Sequence, residues 1–397
     1  MLVGLVGKPS SGKSTFFKAL TLIDVAIANY PFTTIEPNKG VGFTRIECID
    51  SFFKVQCNPR TGFCINHQRF VPVELMDVAG LVPGAHEGKG LGNKFLDDLR
   101  KADVLIHVVD VSGSTNEKGE QVPSNSHDPA KDILFLEEEI DLWLLGIIQK
   151  NFQKIAKQPY DSKQKMLQLM MQEISGLGVS ETQVDSALTK SLLVEKKLKD
   201  WAEEDFKKFT IALRKISKPI LIAANKVDLP HAEENLARLK KQFPEKIIIG
   251  CSAESELALR KAAKAGLIDY IPGDKDFKII KELNAQQNEA LELIKKKILS
   301  LENGTGIQPV LNSAVFDVLK FMAIFPGGVN NLTDSEGRVL PDCFLMPPNS
   351  TTLDFAFRLH TDFGKNFIKA IDVKTRQLKG RDALLQHRDV IEIVSKA

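Results

Sequence analysis

Residues 7–14 read Gly-Lys-Pro-Ser-Ser-Gly-Lys-Ser, behind the apolar run Leu2-Val3-Gly4-Leu5-Val6 and ahead of Thr15-Phe16-Phe17-Lys18-Ala19-Leu20. Strand, glycine loop and helix in that order make GxxxxGK(S/T) a phosphate-binding loop rather than a simple turn. Such a loop constrains the fold. It needs a buried strand behind it and a helix whose positive end faces the anion. Gly7 and Gly12 let the backbone wrap closely, so the stretch through Lys8, Pro9, Ser10, Ser11 and on to Thr15 turns its N–H groups toward phosphate oxygens. Lys13 reaches the β- and γ-phosphates, and the Ser14 hydroxyl ligates Mg²⁺. The chain is expected to bind a nucleoside triphosphate.

At 397 residues the chain is too long for one compact core, so two or three domains are expected. A net charge of +2 gives no global field toward DNA or an anionic membrane. With a strand expected from residue 2, no leader is expected, and no apolar run reaches the length of a membrane span. Five cysteines make no disulfide framework, so a reducing, cytoplasmic setting is expected. Cys48, Cys57, Cys64 and His67 cluster at spacings looser than the paired C-x2–4-C of structural zinc sites. They read as a reduced hairpin with incidental thiols, and metal binding is left open.

Strands are expected at Leu2–Val6, Phe70–Met76 and Val104–Val109, the last a nearly continuous apolar run suited to a buried parallel strand. From Ile133 to Ile216 the spacing turns helical: Ile133, Leu136, Ile140, Trp143 and Ile147 share a face, as do Phe206, Phe209, Leu213 and Ile216. Gly176-Leu177-Gly178 breaks a helix, and Ser180 with Gln183 has the form of a capping box. Strands return at Pro219–Ala224 and Lys246–Gly250, then helices over 277–301 and 310–320. Short strands flanking a helix at Thr352–Thr361 follow, a β-grasp plan. The expected fold is α/β: a doubly wound, mostly parallel sheet with a helical insertion, plus a C-terminal ubiquitin-like β-grasp domain. Its expected parts are a nucleotide domain over 1–125 and 206–276, an insertion over 126–205, a helical linker over 277–317 and the terminal domain over 318–397.

Three further motifs follow in order. Asp77-Val78-Ala79-Gly80 is DxxG: Asp77 holds Mg²⁺, usually through water, and the Gly80 N–H senses the γ-phosphate. Asn225-Lys226-Val227-Asp228 is NKxD. Its Asp228 carboxylate accepts from guanine's ring N–H and amine, where adenine presents an acceptor, and such contacts discriminate by roughly 10⁴–10⁵. Asn225 is expected to tie this loop to the phosphate loop, the Lys226 stem to cover the base, and Ser252-Ala253 to offer N–H groups to the guanine carbonyl. Between the first loop and DxxG, Thr33 or Thr34 supplies the hydroxyl that meets Mg²⁺ and marks a switch. After DxxG stands Leu81, which cannot orient water. His86 and Glu87 are the nearby polar substitutes, and slow hydrolysis accelerated by a partner is the expectation.

Asn29-Tyr30-Pro31-Phe32-Thr33-Thr34-Ile35-Glu36-Pro37-Asn38, and Asp77 through Leu96, resemble the Obg–YchF branch of translation-factor-type GTPases. Leu345-Met346-Pro347, the stretch Asp354 to Asp362, and Arg388 to Val394 are similar to a TGS domain. The resemblance implies a GTPase core, a coiled helical insertion, a TGS module and a role tied to ribosomes or RNA. It also selects Thr34 as the switch threonine and implies that the family tolerates an apolar residue at Leu81. Bacterial and eukaryotic relatives usually lack a proper NKxD and prefer ATP; here Asn225 and Asp228 return the expectation to GTP. Relatives that use K⁺ hold it with an asparagine where this chain has Ser10, a weaker ligand, so K⁺ use stays open.

In the tail, Lys365, Lys369, Lys374, Arg376, Lys379 and Arg381 surround Phe363 and Phe367. Salt-sensitive RNA contact and an ordinary lysine-rich surface both fit that pattern. The principal reading is a Mg²⁺-dependent GTPase switch. The alternatives are a slow nucleotide-controlled clamp with negligible turnover, and an ATPase. Oligomeric state is not legible.

Overall fold

The computed structural model describes residues 1–22, 38–78 and 98–396. Strand β1 (Leu2–Val6) is buried along nearly its whole length. It lies between two parallel neighbours, β4 (Gln68–Asp77) and β5 (Val104–Asp110), with Leu5 opposite Asp77 and Ile106. Beyond β5, β6 (Ile220–Asn225) and β7 (Ile248–Cys251) continue in parallel. All seven residues of β5 are buried, as a strand covered on both faces requires.

The opposite edge carries a strand that the sequence did not advertise. β2 (Lys39–Glu47) runs antiparallel to β4, and β3 (Phe63–Ile65) pairs antiparallel with the start of β4 on its other side. Gly40 and Gly42 dilute the strand pattern of β2, yet the packing needs them. A Cβ at Gly40 would stand 2.7 Å from the Thr21 methyl, and one at Gly42 would stand 2.8 Å from Leu75. Helix α1 (Lys13–Thr21) and its neighbours fit against the sheet through those two gaps.

Beyond the short helix α2 (Asp50–Phe53) and a helical turn over 98–101 that leads into β5, α3 (Pro129–Ile155) is 27 residues long, with the Asp128 side chain accepting from the Ala130 N–H as its cap. Helices α4 (Lys163–Ile174), α5 (Glu181–Lys190) and α6 (Glu203–Ser217) pack with it. The Ser180–Gln183 capping box forms as its sequence suggests. Trp143, Phe152, Met170, Phe206, Phe209 and Leu213 share one core, which also takes in Val6, Met76 and Leu105 of the sheet. The expected division at 205/206 therefore falls inside α6, whose apolar face belongs to the insertion core.

In the C-terminal unit the strands pair in the order Phe344–Met346, Met322–Pro326, Val390–Ser395, Phe367–Asp372, Leu378–Lys379. One helix, Thr352–Leu359, packs Phe355 into the small core. This β-grasp sheet docks on the outer end of β2 and β4. There the fully buried Arg69 donates to the carbonyls of Leu340 (3.1 Å) and Pro341 (2.9 Å).

Candidate functional site

The glycine loop closes where β1 hands over to α1. Gly12 caps α1 in the left-handed region (φ 90°), and a Cβ there would overlap the Asn225 amide. Gly7 passes so close to β5 that a Cβ would lie 2.5 Å from the Val108 carbonyl oxygen. No side chain caps α1, so its first-turn N–H groups face the loop with the positive end of the dipole. That cradle, with Ser14 exposed in the first turn, suits a triphosphate and its Mg²⁺. Pro9 and Ser10 are exposed at the lip, Ser10 at φ 62°.

Lys13 forms an ion pair with the Asp77 carboxylate at the end of β4. Two sequence-expected ligands of the phosphate–metal centre thus already touch. Lys8 goes elsewhere: its amine is buried, 2.7 Å from the Thr115 carbonyl and 2.8 Å from Asp132 of α3. Its side chain anchors the loop to the insertion, and only its backbone remains for phosphate.

Asn225, at the end of β6, joins three loops. Its Nδ2 donates to the Ser11 carbonyl (3.0 Å), and its Oδ1 accepts from the Ala253 N–H (3.0 Å). Lys226 adopts φ 69° and places its amine 2.8 Å from the Asp110 carboxylate. Asp228 is exposed beyond it.

Asp110 is a functional-site residue that the sequence reading missed. It is fully buried and accepts from the Ser112, Ser114 and Thr115 hydroxyls at 2.6, 2.9 and 2.9 Å. Burial pushes its pKa up, but the bonds from Lys226 and Ser112 and the Lys226 charge outweigh it, leaving the carboxyl below its usual range. The available signal was a carboxylate followed at once by hydroxyls, Asp110-Val111-Ser112-Gly113-Ser114-Thr115. The same loop covers the lip, with Gly119 so close to Pro9 that a Cβ would be 2.6 Å from the ring.

One expectation is corrected. The N–H groups of Ser252 and Ala253 are not free for a guanine carbonyl. Ser252 N–H donates to the Thr305 carbonyl (2.9 Å), and Ala253 N–H to Asn225. The Ser252 hydroxyl caps the helix Ala253–Lys264 by accepting from the Ser255 N–H (3.3 Å). Thr34 with its neighbour Thr33, Gly80, Leu81, His86 and Glu87 lie outside the described residues.

The basic tail divides. Lys379 pairs with Asp389 (2.9 Å) and Lys374 with the same carboxylate (3.4 Å), so both serve the β-grasp unit itself. Lys365, Lys369, Arg376 and Arg381 are exposed, and so is Phe363, whereas Phe367 packs on the small core. No helix among the described residues is long and apolar enough to cross a membrane.

A strand–loop–helix cradle, an Asp77 carboxylate against Lys13, and an asparagine tying NKxD to the loop define a P-loop GTPase fold. Residues 2–139 match the 50S ribosome-binding GTPase family, 223–329 the G4 motif-containing domain of Obg-like YGR210-like GTPases, and 333–395 the TGS domain. Along its whole length the chain is 47% identical to a GTP-binding protein of Methanocaldococcus jannaschii, covering 99% of it. The crystal structure of a GTP-binding protein from Pyrococcus horikoshii OT3 superposes with a TM-score of 0.79 at 36% identity, each chain fully covered. A protein of Bacillus subtilis named ribosome-binding ATPase YchF is 28% identical over 95% of this chain and 90% of its own. The chain belongs to the YchF/Obg-like family of GTP-binding proteins.

Proposed function

We propose that this protein hydrolyses GTP to GDP and phosphate in a Mg²⁺-dependent cycle, and that the cycle acts as a switch on a ribosomal or RNA partner. The observation that carries the reading is Asn225, one buried amide bonded to both the phosphate loop and the loop of Ala253. It joins the phosphate side to the loop of Ala253 in one frame, and in this reading Asp228 is the residue that reads the base.

In this reading the Lys13 amine exchanges the Asp77 carboxylate for the β- and γ-phosphate oxygens, which would free Asp77 to help hold Mg²⁺. Ser14, Thr34 and Asp77 would hold Mg²⁺, which when bound neutralises charge between the two phosphates. The Gly12 and Gly80 N–H groups stabilise the oxygens that gain charge as the bond breaks. With Leu81 after DxxG, no glutamine orients the water, so turnover is slow until a partner completes the site. The exposed cations Lys365, Lys369, Arg376 and Arg381, with Phe363, form the RNA-facing surface of the TGS unit. The family name and the Bacillus relative's name both point to the ribosome.

One observation favours a second reading, in which ATP is the nucleotide: the Ser252 and Ala253 N–H groups are already bonded within the protein. Competition binding separates the two. GTP should outcompete ATP by at least about 100-fold, and Asp228→Asn should weaken GTP about as much while improving the xanthine nucleotide, whose extra carbonyl suits an amide donor. Equal affinity for GTP and ATP overturns the guanine reading. Turnover measured with and without ribosomal subunits, at two salt concentrations, tests the switch. No GTP hydrolysis under any of these conditions rejects the enzyme, and slow turnover that no subunit changes favours the clamp.

A further inference from the structure

Away from the phosphate loop, one gathering of metal-ligating side chains among the described residues lies at the outer end of β2 and β4. The chain leaves β2 at Cys48, turns through α2, passes Cys57 and returns on β3 with Cys64. The Cys48 and Cys57 sulfurs are 3.5 Å apart, and the Cys64 sulfur is 3.9 Å from Asp50 Oδ2. One donor atom from each of Cys48, Asp50, Cys57 and Cys64 lies within 4.8 Å of all the others. Tetrahedral zinc with Zn–S bonds of about 2.3 Å sets its sulfurs about 3.8 Å apart, so the Cys48–Cys57 pair opens slightly while the wider pairs draw in.

The surroundings are built for such a quartet. Cys48 and Asp50 are fully buried and Cys57 is 4% exposed, so an ion held here sheds its water. Asp50 is oriented by two bonds. His67 Nδ1 lies 2.9 Å from Oδ1, and the Cys57 N–H donates to Oδ2 at 3.0 Å. That is the outer-shell arrangement that fixes metal-binding groups. Three thiolates and a carboxylate around a divalent ion leave net negative charge, and the buried Arg69 guanidinium donates to the Cys57 sulfur at 3.7 Å. All the cysteines are free.

We propose that Cys48, Cys57, Cys64 and Asp50 bind a thiophilic divalent ion, zinc by donor set and geometry, that staples the hairpin end to the TGS unit. The staple position follows from what lies against it. The Asn58 N–H donates to the Val339 carbonyl (2.8 Å), the Arg60 N–H to the Pro341 carbonyl (2.9 Å), and Arg69 reaches both Cys57 and Pro341. Fixing Cys57 therefore fixes the strand of contacts by which the C-terminal unit is held. The incidental-thiol reading rested on spacing, since eight and six intervening residues hide a cluster that only the α2 turn assembles.

The test uses the full chain, purified without a metal-binding tag, and elemental analysis. About one zinc per chain is expected to survive dialysis. Cobalt added to the zinc-free protein should give sulfur-to-metal charge-transfer bands with the strong visible bands of a tetrahedral site. Cys57→Ser and Cys64→Ser should each lower bound zinc at least about tenfold. Cys343→Ser, a buried thiol of the same apolar cluster outside the quartet, should keep it. The half-buried Cys64 makes its serine variant the safer fold, and the cobalt titration needs no variant at all. Reduced wild-type protein that holds no stoichiometric zinc and gives no thiolate bands with cobalt overturns the proposal. So does a Cys48–Cys57 disulfide, seen as a loss of two hydrogens in intact mass, in protein that takes no cobalt after reduction. Nucleotide affinity should be unchanged by Cys64→Ser, so this outcome is independent of the GTP reading.

Discussion

On the nucleotide side of the glycine loop, Lys13 meets Asp77 with side chains 12% and 18% exposed; on the insertion side, five residues earlier, Lys8 meets Asp132 with 6% and 7%. Lys13 has this one carboxylate at the rim of an open cradle. Lys8 has two fixed oxygens, Thr115 and Asp132, and Asp132 is held in turn by His127 at 2.8 Å. The Lys13 pair is the more exposed of the two, so it is the more easily re-solvated or traded for another anion and contributes less to folding. A sealed pair is costly to break on one side, because the remaining charge has nowhere to go. One loop thus combines an exchangeable cation for the ligand with a fixed cation that fastens it to α3. Nucleotide-driven motion of the loop would be felt by the insertion through Lys8.

The contrast breaks most visibly at Lys13. Lys13→Met should lower GTP affinity at least about 100-fold, since two charge-assisted bonds at about 1.5–3 kcal/mol each are lost. The melting temperature of the nucleotide-free protein should barely move, because the pair that disappears is the cheap one. Isothermal titration and a thermal melt read the two quantities separately. Retained affinity would mean that Lys13 stays with Asp77 when nucleotide binds, and the exchange would be wrong.

Lys8→Met should do the reverse. It leaves Asp132 buried with only His127, which costs about 3 kcal/mol of stability by denaturant unfolding, while GTP affinity changes by less than about tenfold. The double variant Lys8→Met with Asp132→Leu removes both charges and should recover most of the loss. If the single variant costs under about 1 kcal/mol, the buried pair is not an anchor and the two sides of the loop are alike.

This difference explains what could be read from the residues and what could not. The cradle was legible because a phosphate site needs glycines and a lysine at fixed spacing on contiguous residues: Gly7, Gly12, Lys13. Asn225 was legible from its own contiguous motif, Asn225-Lys226-Val227-Asp228, although its partner Ser11 lies 214 residues away. Lys8 fell within the motif and was read with it, yet its partners lie 107 and 124 residues on, and nothing local announces them. The edge strand β2 was hidden by the two glycines that its packing requires. The Ser252-Ala253 expectation failed because both N–H groups answer to distant atoms, Thr305 and Asn225. Helical periodicity, by contrast, gave the insertion core directly, since Trp143, Phe206 and Phe209 follow a spacing that only a helix can use.

The smallest expected effect sharpens the comparison by pH. A cavity of about 300 Å³ lies between the loop and α3, lined by Gly7, Lys8, His107, Asp132, Phe135 and Leu136. Burial, and then the charges of Lys8 and Lys246, drive His107 in β5 down to about 3. Its folded pKa is thus below the unfolded value near 6.5, and the unfolded chain binds the extra proton between the two. His107 therefore contributes fully above about pH 6.5, and that stability is lost as pH falls toward 3, by up to about 1.4 kcal/mol per pH unit. His387 is also lowered, by burial first, so it adds a loss of the same sign, and the informative quantity is a difference between variants. His107→Gln should flatten the acid limb of the stability curve between pH 6.5 and 4.5 by up to one proton. Lys8→Met, by removing one of the charges that oppose protonation, should raise the lower end of that limb. An unchanged limb in both would mean that water reaches His107, and then the Lys8 side of the loop is no more sealed than the Lys13 side.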